Sequence, residues 1–196
     1  MLDHDPKSGR PINRRALLGL MAGALATPAM AADHPSLIYM REVARDLLNA
    51  NRQGTVASFR TAILRHADIA DIGNYSLGQY QARLSAAQRD SYYGGVATFM
   101  ARYFADQSRE YRIAKYELGD ANVDDNKDVL INSKVFLLTG QTYNVGWRLS
   151  WRKGRYKITD AKVLGFSLVY MQRGLFTSYI SKRNGDVGQL VAALNR

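Results

Sequence analysis

Tyr156 to Leu194, YKITDAKVLGFSLVYMQRGLFTSYISKRNGDVGQLVAAL, changes its hydrophobic period part-way through. Tyr156 and Ile158 alternate with polar neighbours, as in a half-buried strand, and the chain then runs into Gly165-Phe166-Ser167-Leu168. From about Val169 to Ile180 helical spacing takes over, and a second short helix is expected over 187–194 after a break at Asn184-Gly185.

Towards the N-terminus the period stays at two. Tyr111 and Ile113 begin one alternating segment; Val129, Ile131, Ser133, Val135 and Leu137 form a second; Tyr143, Val145, Trp147, Leu149 and Trp151 form a third; Tyr156 and Ile158 begin the fourth. Turn signals from Gly119-Asp120 to Lys127, at Thr139-Gly140-Gln141 and at Lys153-Gly154 separate them, which predicts an antiparallel meander. In the third strand the aromatic and aliphatic set is expected to be buried and the Asn144, Gly146, Arg148, Ser150 and Arg152 set to be wet and cationic.

Further back the period is helical. Leu37, Met40, Val43, Ala44, Leu47 and Leu48 predict an amphipathic helix closed near Gly54, and a second, capped by Thr55, runs to about Ala67. Asp68 to Gly78 reads as short helical turns broken by glycine. Ser85 with Gln88 three residues on is a capping box that opens the clearest helix, with Tyr92, Val96, Phe99, Met100, Tyr103 and Phe104 on one face. Gly94 and Gly95 in its middle cost about 2 kcal/mol of helix propensity, which points either to close approach of another backbone or a ligand, or to a kink. Helices followed by antiparallel strands predict an α+β domain: a twisted antiparallel sheet of about four strands, covered on one face by N-terminal and C-terminal helices.

Asn13-Arg14-Arg15 precedes an uncharged run from Ala16 to Ala31 that ends Ala29-Met30-Ala31. This pattern predicts a cleavable signal peptide over residues 1–31, cut after Ala31, with the arginine pair suggesting twin-arginine export and general secretion as the alternative. The expected mature part, residues 32–196, is long enough for a single domain. The whole chain carries a formal net charge of +10, and removing residues 1–31 takes four basic and two acidic residues, leaving about +8. For an exported protein this favours anionic membrane surfaces or acidic partner proteins over nucleic acid, with a merely soluble basic surface as the plain alternative. The chain contains no cysteine, which excludes disulfides, a thiol nucleophile and a lipid-modified N-terminal cysteine.

Catalytic and metal chemistry is hard to assemble from what remains. His34 and His66 lie in different contexts, so a transition-metal site would rest almost wholly on carboxylates. Counted from Asp124 as an EF-hand loop, the glycine and closing glutamate positions hold Val129 and Val135, so a solvated turn is the better reading. Ser167 lacks a nucleophile elbow, since Val169 stands where the second glycine belongs. Asp160, a carboxylate within an apolar strand, is either a general base in a pocket or a structural hydrogen-bonding group. No catalytic residue, metal or cofactor is assigned.

The chain resembles the MlaC family of periplasmic phospholipid-binding proteins, the toluene-tolerance auxiliary proteins. The resemblance rests on Tyr156, Lys157, Ile158 and Asp160, then Gly165, Phe166, Ser167 and Leu168, then Arg173 and Phe176, then Leu190 and Leu194, with further matches at Ala87, Gln88, Arg89, Phe99 and Tyr103. The Gln172-Arg173 pair is similar to the family's hopanoid-associated branch. The resemblance implies a soluble periplasmic carrier, not an enzyme, that holds phospholipid acyl chains in an apolar cavity between helices and sheet. It further implies shuttling of lipid between an outer-membrane lipoprotein and porin complex and an inner-membrane ABC transporter with an MCE domain, in support of outer-membrane lipid asymmetry. Under it, the cavity would be lined by Tyr92, Val96, Phe99, Met100 and Tyr103, by Val145, Trp147 and Leu149, and by Phe166, Leu168 and Phe176. Arg173 would contact phosphate or make a structural ion pair. Hopanoid or terpenoid cargo, a periplasmic enzyme and a membrane-surface adaptor are the alternatives. The same apolar faces would serve any ordinary globular core.

Overall fold

Among the described residues four helices, five strands and two further helices follow one another in three blocks. The computed structural model describes residues 34–124 and 127–196. The expected signal peptide lies outside the described residues, and residues 33–196 form one compact unit.

Four helices come first: α1 (Pro35–Gln53), α2 (Val56–His66), α3 (Ile69–Leu77) and α4 (Arg89–Glu110). Each boundary has a local cause. Pro35 sits in the first turn of α1, where its missing N–H costs nothing, and Gly54 ends the helix in the left-handed region at φ +63°. The Thr55 hydroxyl caps α2 by accepting the Ser58 N–H at 3.1 Å. Gly73 does not break α3, contrary to the sequence expectation. A Cβ there would stand 3.1 Å from the Tyr92 ring and 3.2 Å from that of Tyr93, so glycine lets both aromatics lie against the helix backbone. At the start of α4, Gln88 Oε1 accepts from the Ser85 hydroxyl at 2.9 Å, and a short 3-10 turn over Ala86–Gln88 precedes the α-helix proper.

The sheet is an antiparallel meander in the order β1-β2-β3-β4-β5. Its strands are β1 (Ile113–Val123), β2 (Val129–Leu137), β3 (Thr142–Arg152), β4 (Arg155–Val163) and β5 (Phe166–Ser167). The two-residue β5, which exceeds the four expected strands, is paired to the end of β4 through Val163 and Phe166. β1 continues through Gly119-Asp120 instead of turning there, and a register shift between Leu118 and Ala121 absorbs the irregularity. Trp151, expected on the buried face of β3, is 56% exposed. It lies at the end of the sheet, two residues past the fully buried Leu149, where it packs edge-on against Tyr156 at 4.8 Å between ring centres. On the outer face Ser150 is buried rather than wet: its hydroxyl bonds Asp128, and Arg148 donates to Asp124 and Asp128, each at 3.1 Å.

Two further helices complete the fold, α5 (Leu168–Ser181), capped by the Ser167 hydroxyl, and α6 (Val187–Leu194), capped by Asp186. The N-terminal helices are tied to the sheet at both ends. Asn51 of α1 donates to the Tyr111 carbonyl and accepts the Ile113 N–H, both at 3.1 Å, and the Asp68 N–H reaches the Ile158 carbonyl at 2.8 Å.

Buried apolar side chains gather in three groups. One is mainly helical, joining Tyr92 and Val96 of α4 to Phe176 and Ile180 of α5 and to Leu190 and Leu194 of α6. A second joins Phe59 and Ile63 of α2 to Ile72 of α3 and to Ala97 and Ala101 of α4. The third seats Met40 and Val43 of α1 on Ile131, Leu149 and Ile158 of the sheet.

Candidate functional site

The second and third groups do not meet everywhere. Between them lies a cavity of about 490 Å³, with walls drawn from α1 to α5 and strands β1 to β4. That volume falls in the range of small-molecule sites, about 300 to 1,000 Å³. Phe99, Met100 and Tyr103 of α4 face Tyr116 of β1, Val135 of β2 and Trp147 of β3 across it. Among the described residues no lysine or arginine lines it, and Asp160 is the single carboxylate.

Several polar atoms in the walls are engaged by the protein. The Trp147 indole N–H donates to the Ser133 hydroxyl at 2.9 Å, which donates to the Val145 carbonyl at 3.3 Å. Gln172 donates to the buried Ser76 hydroxyl at 2.8 Å, and Ser76 donates to the Ile72 carbonyl at 2.7 Å. Asp160 accepts the Val169 N–H at 3.3 Å, in the first turn of α5. This contact is the structural role anticipated as one alternative for that carboxylate.

Beside the wall formed by His66, the fold collects Glu42, Asp46 and His66 within ligating distance of one another. Arg65 stands between the two carboxylates, bonding Glu42 directly and Asp46 at 2.9 Å, while His66 Nε2 meets the same Asp46 oxygen at 2.9 Å. A cation would have to displace Arg65. Burial is the largest single influence on Asp46 and pushes its pKa up. Hydrogen bonds from His66 and Arg45, together with the charge of Arg65, outweigh it and hold the carboxyl below its ordinary range. Tyr39, whose hydroxyl donates to the His66 carbonyl at 3.2 Å, is pushed up to about 12 by burial and then by Glu42. Lys157 is lowered, first by burial and then by Arg155, and its Nζ donates to the Arg65 carbonyl at 2.6 Å.

Of the twelve side chains proposed from sequence, Phe99, Met100, Tyr103, Val145, Trp147 and Leu168 line the cavity. Tyr92, Val96 and Phe176 lie in the helical group and Leu149 in the group under α1, all outside the lining. Phe166 is 69% exposed on β5. Arg173 lies about 200° around α5 from Met171 and Leu175, which do line the cavity. Its guanidinium lies over the Tyr75 ring at 4.9 Å, close against Gly78, and makes no ion pair among the described residues. Met40, Leu47 and Leu48 of α1 also line the cavity but were read only as core. Their helical spacing identified an apolar face without revealing that part of it would stay unfilled.

An antiparallel meander roofed by helices over an apolar cavity defines an α+β cavity protein. Residues 40–196 match the family model described as MlaC protein, and the chain belongs to that family. Among solved structures, the phospholipid-binding protein from Ralstonia solanacearum, in complex with a phospholipid, has the same fold. The TM-score is 0.66 at 20% sequence identity, covering 84% of this chain and 96% of that chain. A comparison with curated proteins returns no match.

Proposed function

We propose that this protein is a periplasmic lipid carrier that shelters acyl chains between α1, α4 and the sheet and moves lipid between the outer and inner membranes. The observation that carries this reading is the cavity itself: about 490 Å³, apolar, and without a cationic side chain in its lining among the described residues. Such a wall suits hydrocarbon and leaves a phosphate outside. The family membership and the phospholipid bound by the Ralstonia protein support the same reading.

The contact set we propose is Phe99, Met100 and Tyr103 on the helical side, Val145 and Trp147 on the sheet, and Leu168 at the start of α5. Tyr92, Val96, Leu149 and Phe176 support those walls from behind. Burying a methylene from water is worth about 0.8 kcal/mol, but an acyl chain drawn from a bilayer exchanges one apolar surrounding for another. The net free energy of loading is therefore small, and docking partners can tip it either way. The partners expected are an outer-membrane lipoprotein and porin complex and an inner-membrane ABC transporter bearing an MCE domain. Export by the N-terminal segment, with cleavage after Ala31, belongs to the same proposal.

Gln172 favours a second cargo. Its buried amide, held by the Ser76 hydroxyl, adds a polar group to a largely apolar wall, which suits a hydroxyl-bearing polycyclic lipid such as a hopanoid. Mass spectrometry of organic extracts from protein purified without detergent tests both readings. Stoichiometric phospholipid is the expected result, hopanoid or another terpenoid would move the assignment to the second cargo, and extracts with no lipid would defeat the carrier reading.

A further inference from the structure

The apolar wall of the cavity continues onto the outer surface. Leu164, Met171 and Leu175 all line the cavity, yet they are 62%, 47% and 60% exposed. Phe166 and Tyr170 beside them are 69% and 67% exposed, so five large apolar side chains crowd the turn from β4 into α5. Single exposed leucines are ordinary, but a cluster continuous with a cavity marks a contact surface. Leu164 adds a second observation. It has φ +52°, a left-handed conformation that is uphill for leucine and that glycine or asparagine would adopt more readily. An exposed leucine in that conformation serves neither the turn nor the core.

Cations flank this lip. Lys162 is the one charged residue in the chain from Ala161 to Gln172. Lys134, opposite Asn144, and Lys162, opposite Gly146, share the outer face of the sheet, and the Leu164 N–H reaches the Asn144 carbonyl at 3.4 Å. Of the acidic groups near by, Glu117 is bound to Lys115 at 2.8 Å, and Asp160 faces the cavity and the first turn of α5.

We propose that the lip formed by Leu164, Phe166, Tyr170, Met171 and Leu175 docks directly on an anionic bilayer, inserting among acyl chains while Lys134 and Lys162 meet lipid phosphates. The inference rests on the carrier reading. A hydrocarbon chain passes through a mouth of this kind without meeting water when the surface docked outside it is itself apolar, and a bilayer interior supplies such a surface. Apolar side chains at the tip with cations flanking them are the pattern of interfacial membrane contact.

The test is flotation of protein purified from the cells that make it. One set of vesicles is phosphatidylethanolamine and phosphatidylglycerol at roughly three to one, and the other is phosphatidylcholine alone. The protein is expected to float with the anionic vesicles in a salt-sensitive manner. The double variant Phe166→Ser, Tyr170→Ser, at two exposed side chains outside the cavity lining, is expected to lose affinity about tenfold or more, with an unchanged circular dichroism spectrum and unchanged bound lipid. Failure of the unaltered protein to float with anionic vesicles overturns the proposal, as does equal flotation of the double variant. So does a dimer that the same two substitutions convert to monomer while no vesicle is bound, since the lip would then be a self-association face. Extracts without lipid alongside normal flotation would remove the carrier reading and leave the bilayer contact standing.

Discussion

The two halves of α4 carry similar apolar patterns and do different work. In the first half Tyr92 and Val96 are wholly buried against α5 and α6, and Gly95 lets the end of α6 come so close that a Cβ would stand 2.7 Å from Leu194 Cβ. Further along, Ala97, Ala101 and Ala105 admit α2 at close range, and the large side chains Phe99, Met100, Tyr103 and Phe104 line the cavity, with Phe99 against Phe176 and Phe104 against Phe59 on their other sides. A 22-residue helix is about 33 Å long, too long for one neighbour to cover. The contrast teaches that periodicity identifies an apolar face, while its partner decides whether that face becomes core or cavity.

Substitutions at the two ends sharpen the contrast. Tyr92→Ala should have the largest effect on stability, about 3–5 kcal/mol in urea unfolding, because it empties a filled site and removes the hydroxyl that donates to the Gly73 carbonyl at 2.8 Å. Gly95→Leu should follow at roughly 2–3 kcal/mol from overpacking. If it were as stable as the parent, the close seal between α4 and α6 would be refuted.

Asp46→Asn probes the polar belt beside the cavity and should cost about 1–2 kcal/mol at neutral pH. The folded-state pKa of Asp46 is depressed, so its contribution is present above the unfolded value of about 3.9 and is lost as pH falls through the folded value. Unfolding curves of parent and variant should therefore differ at pH 7 and converge below about pH 4. Curves that stay separated by the same amount at low pH would show that Asp46 acts through shape and not charge.

The smallest effect on stability is expected at the cavity end. Tyr103 is 43% exposed and faces open space, so Tyr103→Asp should change unfolding by less than about 1 kcal/mol while reducing co-purifying lipid several-fold. Comparable destabilisation by Tyr103→Asp and Tyr92→Ala would erase the distinction between the two halves.

Much of the architecture was legible because local chemistry and periodicity agreed. Thr55, Gly54 and the Ser85–Gln88 pair sit at helix ends as their side chains demand, and the alternation in β2 and β3 specified which faces pair. Where reading failed, tertiary contacts overrode a local signal. Gly73 suggested a break but accommodates two tyrosine rings, Gly119 suggested a turn but sits in a bulged strand, and Trp151 followed the buried alternation past the end of the core.

The sequence by itself determined the class of fold, the family and the apolar faces, because these depend on side-chain chemistry repeated at a period and on motifs within short segments. The tertiary structure alone decided which of those faces stay apart. Whether Phe99 and Trp147 meet neighbours or enclose a void depends on how far α2 and α1 hold the helical layer from the sheet, a spacing set jointly by Ala97, Ala101, Asn51 and Asp68. No local pattern encodes a distance between elements so far apart along the chain.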